Sequence, residues 1–330
     1  MLFLNSLILG TLITISSYNW FMMWIGLEIN LLSIIPLFKS HKNSFPTEAS
    51  LKYFITQALA STIILFSIIT SMNLTEFFND YNYWMMMILN SALLTKLGAA
   101  PFHYWFPEVM EGLNWLNSLL LLTWQKLAPM ILLMYNLNMS MFLSIIIIFS
   151  SIISGIYGIN QTSLRKILSY SSINHIAWML ASMLNNNNIW LIYFIIYSII
   201  SINIIMIFYY LNIFFIPQLF LILNKNKMIK LLFIFNFFSL GGIPPFLGFF
   251  PKWLVINNLT ENNFYMLSLI LILSTLITLF YYIRLTFPSL TFNYEESLIY
   301  ISNMNKMKII IFNMISIFSL IICTNIFSYF

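Results

Sequence analysis

The stretch LIYFIIYSIISINIIMI, residues 191–207, carries no charged residue, and its apolar positions do not alternate with polar ones. A strand crossing a membrane in a barrel needs about ten residues of alternating character; neither this stretch nor LSIIIIF, residues 143–149, has it. At 1.5 Å per residue such a run covers most of the ~30 Å of hydrocarbon as a helix. Runs of Ile, Leu, Phe and Met recur from Leu2 to Phe330, and 61% of the 330 residues are hydrophobic against 7% charged. Soluble chains carry about 25% charged residues, and an apolar surface this large does not stay dispersed in water. No polar domain of useful size fits between the runs. The fold class that follows is an all-α polytopic membrane protein.

Reading apolar runs against polar breaks predicts eleven transmembrane helices, at 2–17, 20–38, 49–72, 83–100, 113–135, 139–159, 167–184, 189–215, 228–259, 264–287 and 308–330. The first run has no positively charged region and no small-residue cleavage site, so it reads as a membrane helix and not as a cleaved signal. Alternating sides after each helix puts Lys39, Lys42, Lys52, Arg165, Lys166, Lys225, Lys227, Lys230, Arg284, Lys306 and Lys308 on the side of the amino terminus. The other side holds no Lys or Arg, only Glu76, Asp80 and Glu261. The positive-inside rule makes the basic side cytoplasm-like, and an odd number of crossings places the carboxyl terminus opposite. The single Cys323 excludes an internal disulfide and a cysteine-rich metal or iron–sulfur site. His41, His103 and His175 are too scattered along the chain to argue for zinc.

Four ionisable residues remain inside apolar segments: Glu28, Lys96, Lys126 and Lys252. About 13 residues, roughly 20 Å of helix, precede Lys96, and Lys126 lies in the middle of its run. A charge at mid-bilayer costs at least ~2.5 kcal/mol on insertion scales, so pairing, water or neutralisation must compensate. An ammonium stripped of water holds its proton less firmly, and a nearby carboxylate restores the hold. Movement of Glu28 relative to a lysine can therefore load or unload a proton. Blander readings stand beside this one: Lys252 can snorkel to headgroups, and Glu28 can form a purely structural pair. Ser169, Ser171, Ser172, Asn174 and His175 make the densest polar cluster. It serves either interhelical hydrogen bonding or a relay in which His175 passes protons.

The fourth and ninth predicted helices, 83–100 and 228–259, share a pattern. Gly98, Pro101, Phe102, Phe106 and Pro107 recur as Gly242, Pro245, Phe246, Phe250 and Pro251 at one offset of 144 residues. Proline removes a donor and clashes with the preceding turn, so helices 4 and 9 are expected to be broken. In lipid such breaks belong inside protein or beside water. The two helices cross in opposite directions, the signature of inverted repeats with ion sites at broken helices; kinks used only for packing are the alternative. The predicted organisation is a first half at 1–138, a second half at 139–287, and a loop with a terminal helix at 288–330.

Five segments carry a resemblance: WIGLEINLL (24–32), KLGAAPFHYWFPEV (96–109), TWQKLAP (123–129), SYSSINH (169–175) and GGIPPFLGFFPKW (241–253). Together they closely resemble the subunit 2 family of mitochondrial NADH:ubiquinone oxidoreductase, respiratory complex I, in an insect-like form. That family is similar to cation/proton antiporter subunits of fourteen membrane helices, and its animal form lacks the first three. The resemblance implies a membrane-arm subunit that takes part in proton translocation coupled to NADH oxidation. It assigns Glu28 as the intramembrane glutamate, Lys96 as its partner, Lys126 as the central connecting lysine and Lys252 as the lysine of the second broken helix. The expected order runs from Glu28 and Lys96 through Lys126 and ordered water near His175 to Lys252. The resemblance implies no cofactor bound by this chain and no redox site in it, while the complex as a whole uses NADH, FMN, iron–sulfur clusters and ubiquinone. It also implies the mitochondrial inner membrane, with the amino terminus in the matrix and the carboxyl terminus in the intermembrane space. Expected partners are antiporter-like subunit 4, subunit 4L, accessory subunits and lipids such as cardiolipin near Arg165 and Lys166; nothing points to nucleic acid. Two competing functions fit the buried charges: a free-standing cation/proton transporter, and a spacer of the complex with no proton path of its own.

Overall fold

The computed structural model describes residues 1–39, 44–74, 79–137, 139–223, 227–244 and 246–291. The predicted helix 308–330 lies outside them, as do Cys323, His41, Pro245 and, from the charge count, Lys42, Glu76, Lys225, Lys306 and Lys308. The described residues form fourteen α-helices and one isolated antiparallel bridge, Ser163 with Phe215. The chain divides into two compact units, residues 1–146 and 147–330.

The first unit contains α1 (Leu2–Ser16), α2 (Trp20–Phe38), α3 (Phe45–Leu74), α4 (Asn79–Leu97), α5 (Trp105–Gly112), α6 (Trp115–Leu122) and α7 (Trp124–Met134). Helix α8 (Ser140–Ile159) runs across the division. The second unit holds α9 (Leu164–Met183), α10 (Asn187–Leu211), α11 (Ile216–Leu223), α12 (Lys227–Gly241), α13 (Phe249–Glu261) and α14 (Tyr265–Thr291).

The expectation of eleven transmembrane helices is corrected. Among the described residues, six helices are long and apolar enough to cross: Trp20–Phe38, Phe45–Met72, Trp115–Met134, Ser140–Ile159, Asn187–Leu211 and Tyr265–Phe287. Leu2–Ser16 and Met228–Gly241 are apolar but shorter. The 15 residues of α1 reach only about 22 Å. The predicted run 228–259 is cut into α12 and α13, each too short for ~30 Å of hydrocarbon. Helix α9 is long enough at 20 residues but carries Arg165, Lys166, its serines, Asn174 and His175. Seventeen of its residues are buried, so its polar groups meet protein. Counting runs equated apolar length with a crossing, and a helix shielded by its neighbours escapes that rule.

Close backbone approach sets the first unit. A Cβ on Gly26 would stand 2.5 Å from Thr14 Cγ2 and 2.9 Å from the Gly10 carbonyl, so α1 and α2 touch where both lack side chains. Small residues allow such approach in membranes, where helix association depends on packing.

The two breaks end by one device, and it is set by glycine, not proline. Gly98 has φ +76° and Gly242 φ +78°. The Gly98 amide donates to the Thr95 carbonyl at 3.2 Å and the Ala99 amide to Leu94 at 3.1 Å. Gly242 donates to Ser239 at 3.1 Å and Ile243 to Phe238 at 3.3 Å. Each partner lies 144 residues from its counterpart, and the pattern is the Schellman closure, which needs a left-handed residue just past the helix. Any side chain there is strained by roughly 1–2 kcal/mol. A Cβ on Gly242 would also sit 2.9 Å from Lys252 Nζ. Both Gly98→Ala and Gly242→Ala are expected to lower the thermal aggregation temperature of the membrane-extracted protein, Gly242→Ala by more. Equal native-like stability of both variants would refute this account of the breaks.

Candidate functional site

In the first unit, α2 supplies Glu28 and Asn30, α3 supplies Tyr53 and Gln57, the last turn of α4 supplies Lys96, and the first turn of α7 supplies Gln125 and Lys126. Lys96 is 7% exposed and Lys126 2%, while Glu28 is half-buried. The Glu28 carboxylate acts on Lys96 electrostatically, but the ion pairs among the described residues lie elsewhere. Asn30, Tyr53, Gln57, Lys96 and Gln125 line a cavity of about 20 Å³, enough for roughly one water molecule. Gln125 Nε2 donates to Asn30 Oδ1 at 2.8 Å, Tyr53 Oη donates to Gln125 Oε1 at 3.5 Å, and Gln57 Nε2 donates to the Lys96 carbonyl at 3.5 Å. Lys96 thus borders a small polar cavity that Glu28 does not line. Lys126 does not line it; its neighbour Gln125 does.

A third break went unforeseen. The predicted helix 113–135 is interrupted at Thr123, with φ −112° and ψ −68°, three residues before Lys126. Pro129 inside α7 deprives the Gln125 carbonyl of its helical donor. The polar run Thr123, Gln125 and Lys126, followed by Pro129, was a readable sign of this weak point.

In the second unit, Lys252 on α13 is 5% exposed. Its Nζ donates to the carbonyls of Leu240 at 3.2 Å and Gly241 at 2.8 Å, and lies 6.0 Å from the Trp178 ring centroid. Those are the last carbonyls of α12, left without donors where the helix stops. The ammonium also meets the negative end of the helix dipole. Snorkelling is not what this side chain does. At the first break the carbonyl matching Leu240 is that of Lys96, and Gln57 serves it. The residue matching Lys252 is Glu108, which instead pairs with Lys52 at 3.0 Å, where Glu48 also binds at 3.1 Å, all three substantially exposed. A lysine stands near each break, then, but in different relations to it.

His175, on α9, is 5% exposed, and its Nδ1 lies 2.9 Å from the Tyr193 hydroxyl. The serines beside it, Ser169, Ser171 and Ser172, donate to the carbonyls of Lys166, Leu168 and Ser169 in their own helix. Asn174 reaches another helix, donating to Thr278 Oγ1 at 3.4 Å. Tyr193, Tyr197, Tyr281 and Tyr282 are all buried in this unit; as aromatic members of apolar runs they drew no attention. No group of three or more His, Cys, Asp or Glu that can hold a metal occurs among the described residues.

The family model for the transmembrane part of NADH:quinone oxidoreductase and Mrp antiporter subunits matches residues 17–278. The chain belongs to that family. It is 49% identical to NADH-ubiquinone oxidoreductase chain 2 of Anopheles gambiae, covering 99% of this chain and 97% of the relative. The chain of the same name from Aedes aegypti is 50% identical over the same shares. Among solved structures, a chain of respiratory complex I from Thermus thermophilus superposes with a TM-score of 0.85 at 20% identity, covering 96% of this chain and 77% of that one. Membership of an antiporter-like transmembrane family, with several helices of spanning length, makes this a multi-pass membrane protein. Glu28, Lys96, Lys126, Lys252 and His175 all fall inside the matched residues.

The carbonyl contacts of Lys252 have a measurable consequence. Lys252→Met leaves the Leu240 and Gly241 oxygens without that donor, at about 1–3 kcal/mol for an unsatisfied buried group. A lowered melting temperature is expected for Lys252→Met and a smaller loss for Lys252→Arg; native stability of the Met variant would show that the contact carries no weight.

Proposed function

We propose that this chain is a membrane-arm subunit of a NADH:ubiquinone oxidoreductase in the mitochondrial inner membrane, where it takes part in proton translocation coupled to NADH oxidation. The observation that carries the reading is the burial of Lys96, Lys126 and Lys252 in a largely apolar interior, none more than 7% exposed. Ammonium groups held there are expensive, and a change of protonation gives that expense a use. The near full-length match to chains named NADH-ubiquinone oxidoreductase chain 2 supports the setting.

Each unit supplies one proton-handling station. In the first, Lys96 Nζ holds the proton and the Glu28 carboxylate, acting electrostatically without direct pairing, sets how firmly. Asn30, Gln57 and Gln125 offer donors and acceptors that orient water in the cavity. Lys126 follows the Thr123 break and is the connecting group. In the second, Lys252 is the proton-bearing group and His175 its relay partner. An ammonium has three hydrogens, and two serve the carbonyls of Leu240 and Gly241. The third is available for transfer, and the neutral amine keeps two hydrogens for the same carbonyls. Loss of the proton therefore leaves the end of α12 capped.

The redox chemistry belongs to other subunits of the assembly. Antiporter-like subunit 4 and subunit 4L are the proposed neighbours in the membrane, together with accessory subunits. Arg165 and Lys166, adjacent basic residues at the start of α9, are the proposed contacts for cardiolipin headgroups.

Replacing Lys126 by Met removes the charge and keeps the length. In inner-membrane vesicles, complex content is expected to stay native while protons pumped per electron from NADH fall. Unchanged pumping per electron would remove Lys126 from the path.

A further inference from the structure

His175 is held by an uncharged partner from a different helix. Tyr193 on α10 reaches across to α9, and its hydroxyl lies 2.9 Å from Nδ1. Both side chains are buried, Tyr193 at 1% and His175 at 5%. The ring centroids of the pair stand 6.0 Å apart, so the contact is made through the hydroxyl end. Tyr197, four residues on, instead brings its ring to 5.0 Å from the imidazole. One tyrosine packs against the histidine and the other bonds to it.

A neutral imidazole carries one hydrogen, and the partner of one nitrogen decides where it sits. A buried phenol keeps its own hydrogen and can donate it to Nδ1, which places the imidazole hydrogen on Nε2. When the ring gains a second proton, both nitrogens become donors. The Tyr193 oxygen must then accept from Nδ1, and its own hydrogen must turn to another oxygen. The count of hydrogens closes: the imidazole gains one, Tyr193 neither gains nor loses, and the shared bond reverses its sense.

We propose that Tyr193 is a positioning residue for His175, whose hydroxyl fixes which imidazole nitrogen bears the exchangeable hydrogen and turns over with each protonation. This rests on the reading of the second unit as a proton-handling station. Tyr193→Phe deletes one oxygen and keeps the ring, and it is to be compared with Tyr197→Phe and His175→Gln in the assembled complex in inner-membrane vesicles. Complex content, NADH oxidation with an uncoupler present, and protons pumped per electron are measured. Tyr193→Phe is expected to leave the first two at native level and to lower the third, whereas Tyr197→Phe leaves all three native. A purely structural role would lower content or oxidation together with pumping, and that result would overturn the assignment, as would an equal loss in Tyr197→Phe. Should His175→Gln reduce pumping while Tyr193→Phe does not, the positioning role fails and the station stands. If neither variant alters pumping, both are wrong.

Discussion

A backbone carbonyl buried away from water must find a donor, and this chain interrupts its helices in its buried interior. That constraint explains more of the structure than the apolar runs do. At each matched break, glycine in the left-handed region lets two amides fold back on the last turn. Closure of this kind leaves the final carbonyls over, and side chains serve them. Gln57 meets the Lys96 carbonyl, and Lys252 meets those of Leu240 and Gly241. The charged groups of the candidate sites thus stand at helix ends because helix ends are where unsatisfied dipoles remain. Lys96 in the last turn of α4 and Lys252 over the last carbonyls of α12 both occupy the end at which the helix dipole favours a cation.

The two units use that opportunity differently. In the first, amide side chains surround a cavity of water size, and a carboxylate acts on the lysine without direct pairing. In the second, the lysine is tied directly to backbone oxygens, and the polar company nearby is aromatic: Tyr193 on the imidazole, with Tyr197, Tyr281 and Tyr282 buried in the same unit. A matched backbone therefore carries unlike side-chain chemistry, as Glu108 and Lys252, 144 residues apart, show most plainly.

Sequence reading reached the buried charges because a Glu or Lys among Ile and Leu is conspicuous, and it located the breaks because Gly and Pro recur at one offset. It misjudged what makes them. Proline drew the attention, but the backbone turns at Gly98 and Gly242 before the prolines arrive. The count of eleven spans failed because length of apolar run is a property of one segment, while shielding by neighbours, as around α9, is a property of the fold. The break at Thr123 was missed because its signs, Thr123, Gln125, Lys126 and Pro129, sit inside a run that is apolar on both sides of them. Tyr193 was missed for a related reason: within residues 191–207 it reads as one more large apolar ring, and only the arrival of His175 from α9 gives its hydroxyl a meaning. Residues whose role depends on a partner distant in sequence are silent until the partner is in place.

The grip of Lys252 on the end of α12 also bears on how this region comes apart. A single side chain from α13 satisfies carbonyls of the helix before it, and the empty space at Gly242 is what lets that side chain lie there. Fraying of α13 would strip the α12 terminus of its donor. The two segments are therefore bound to open together, as one cooperative element of local unfolding, although the chain between them contains a turn that in water would act as a natural hinge.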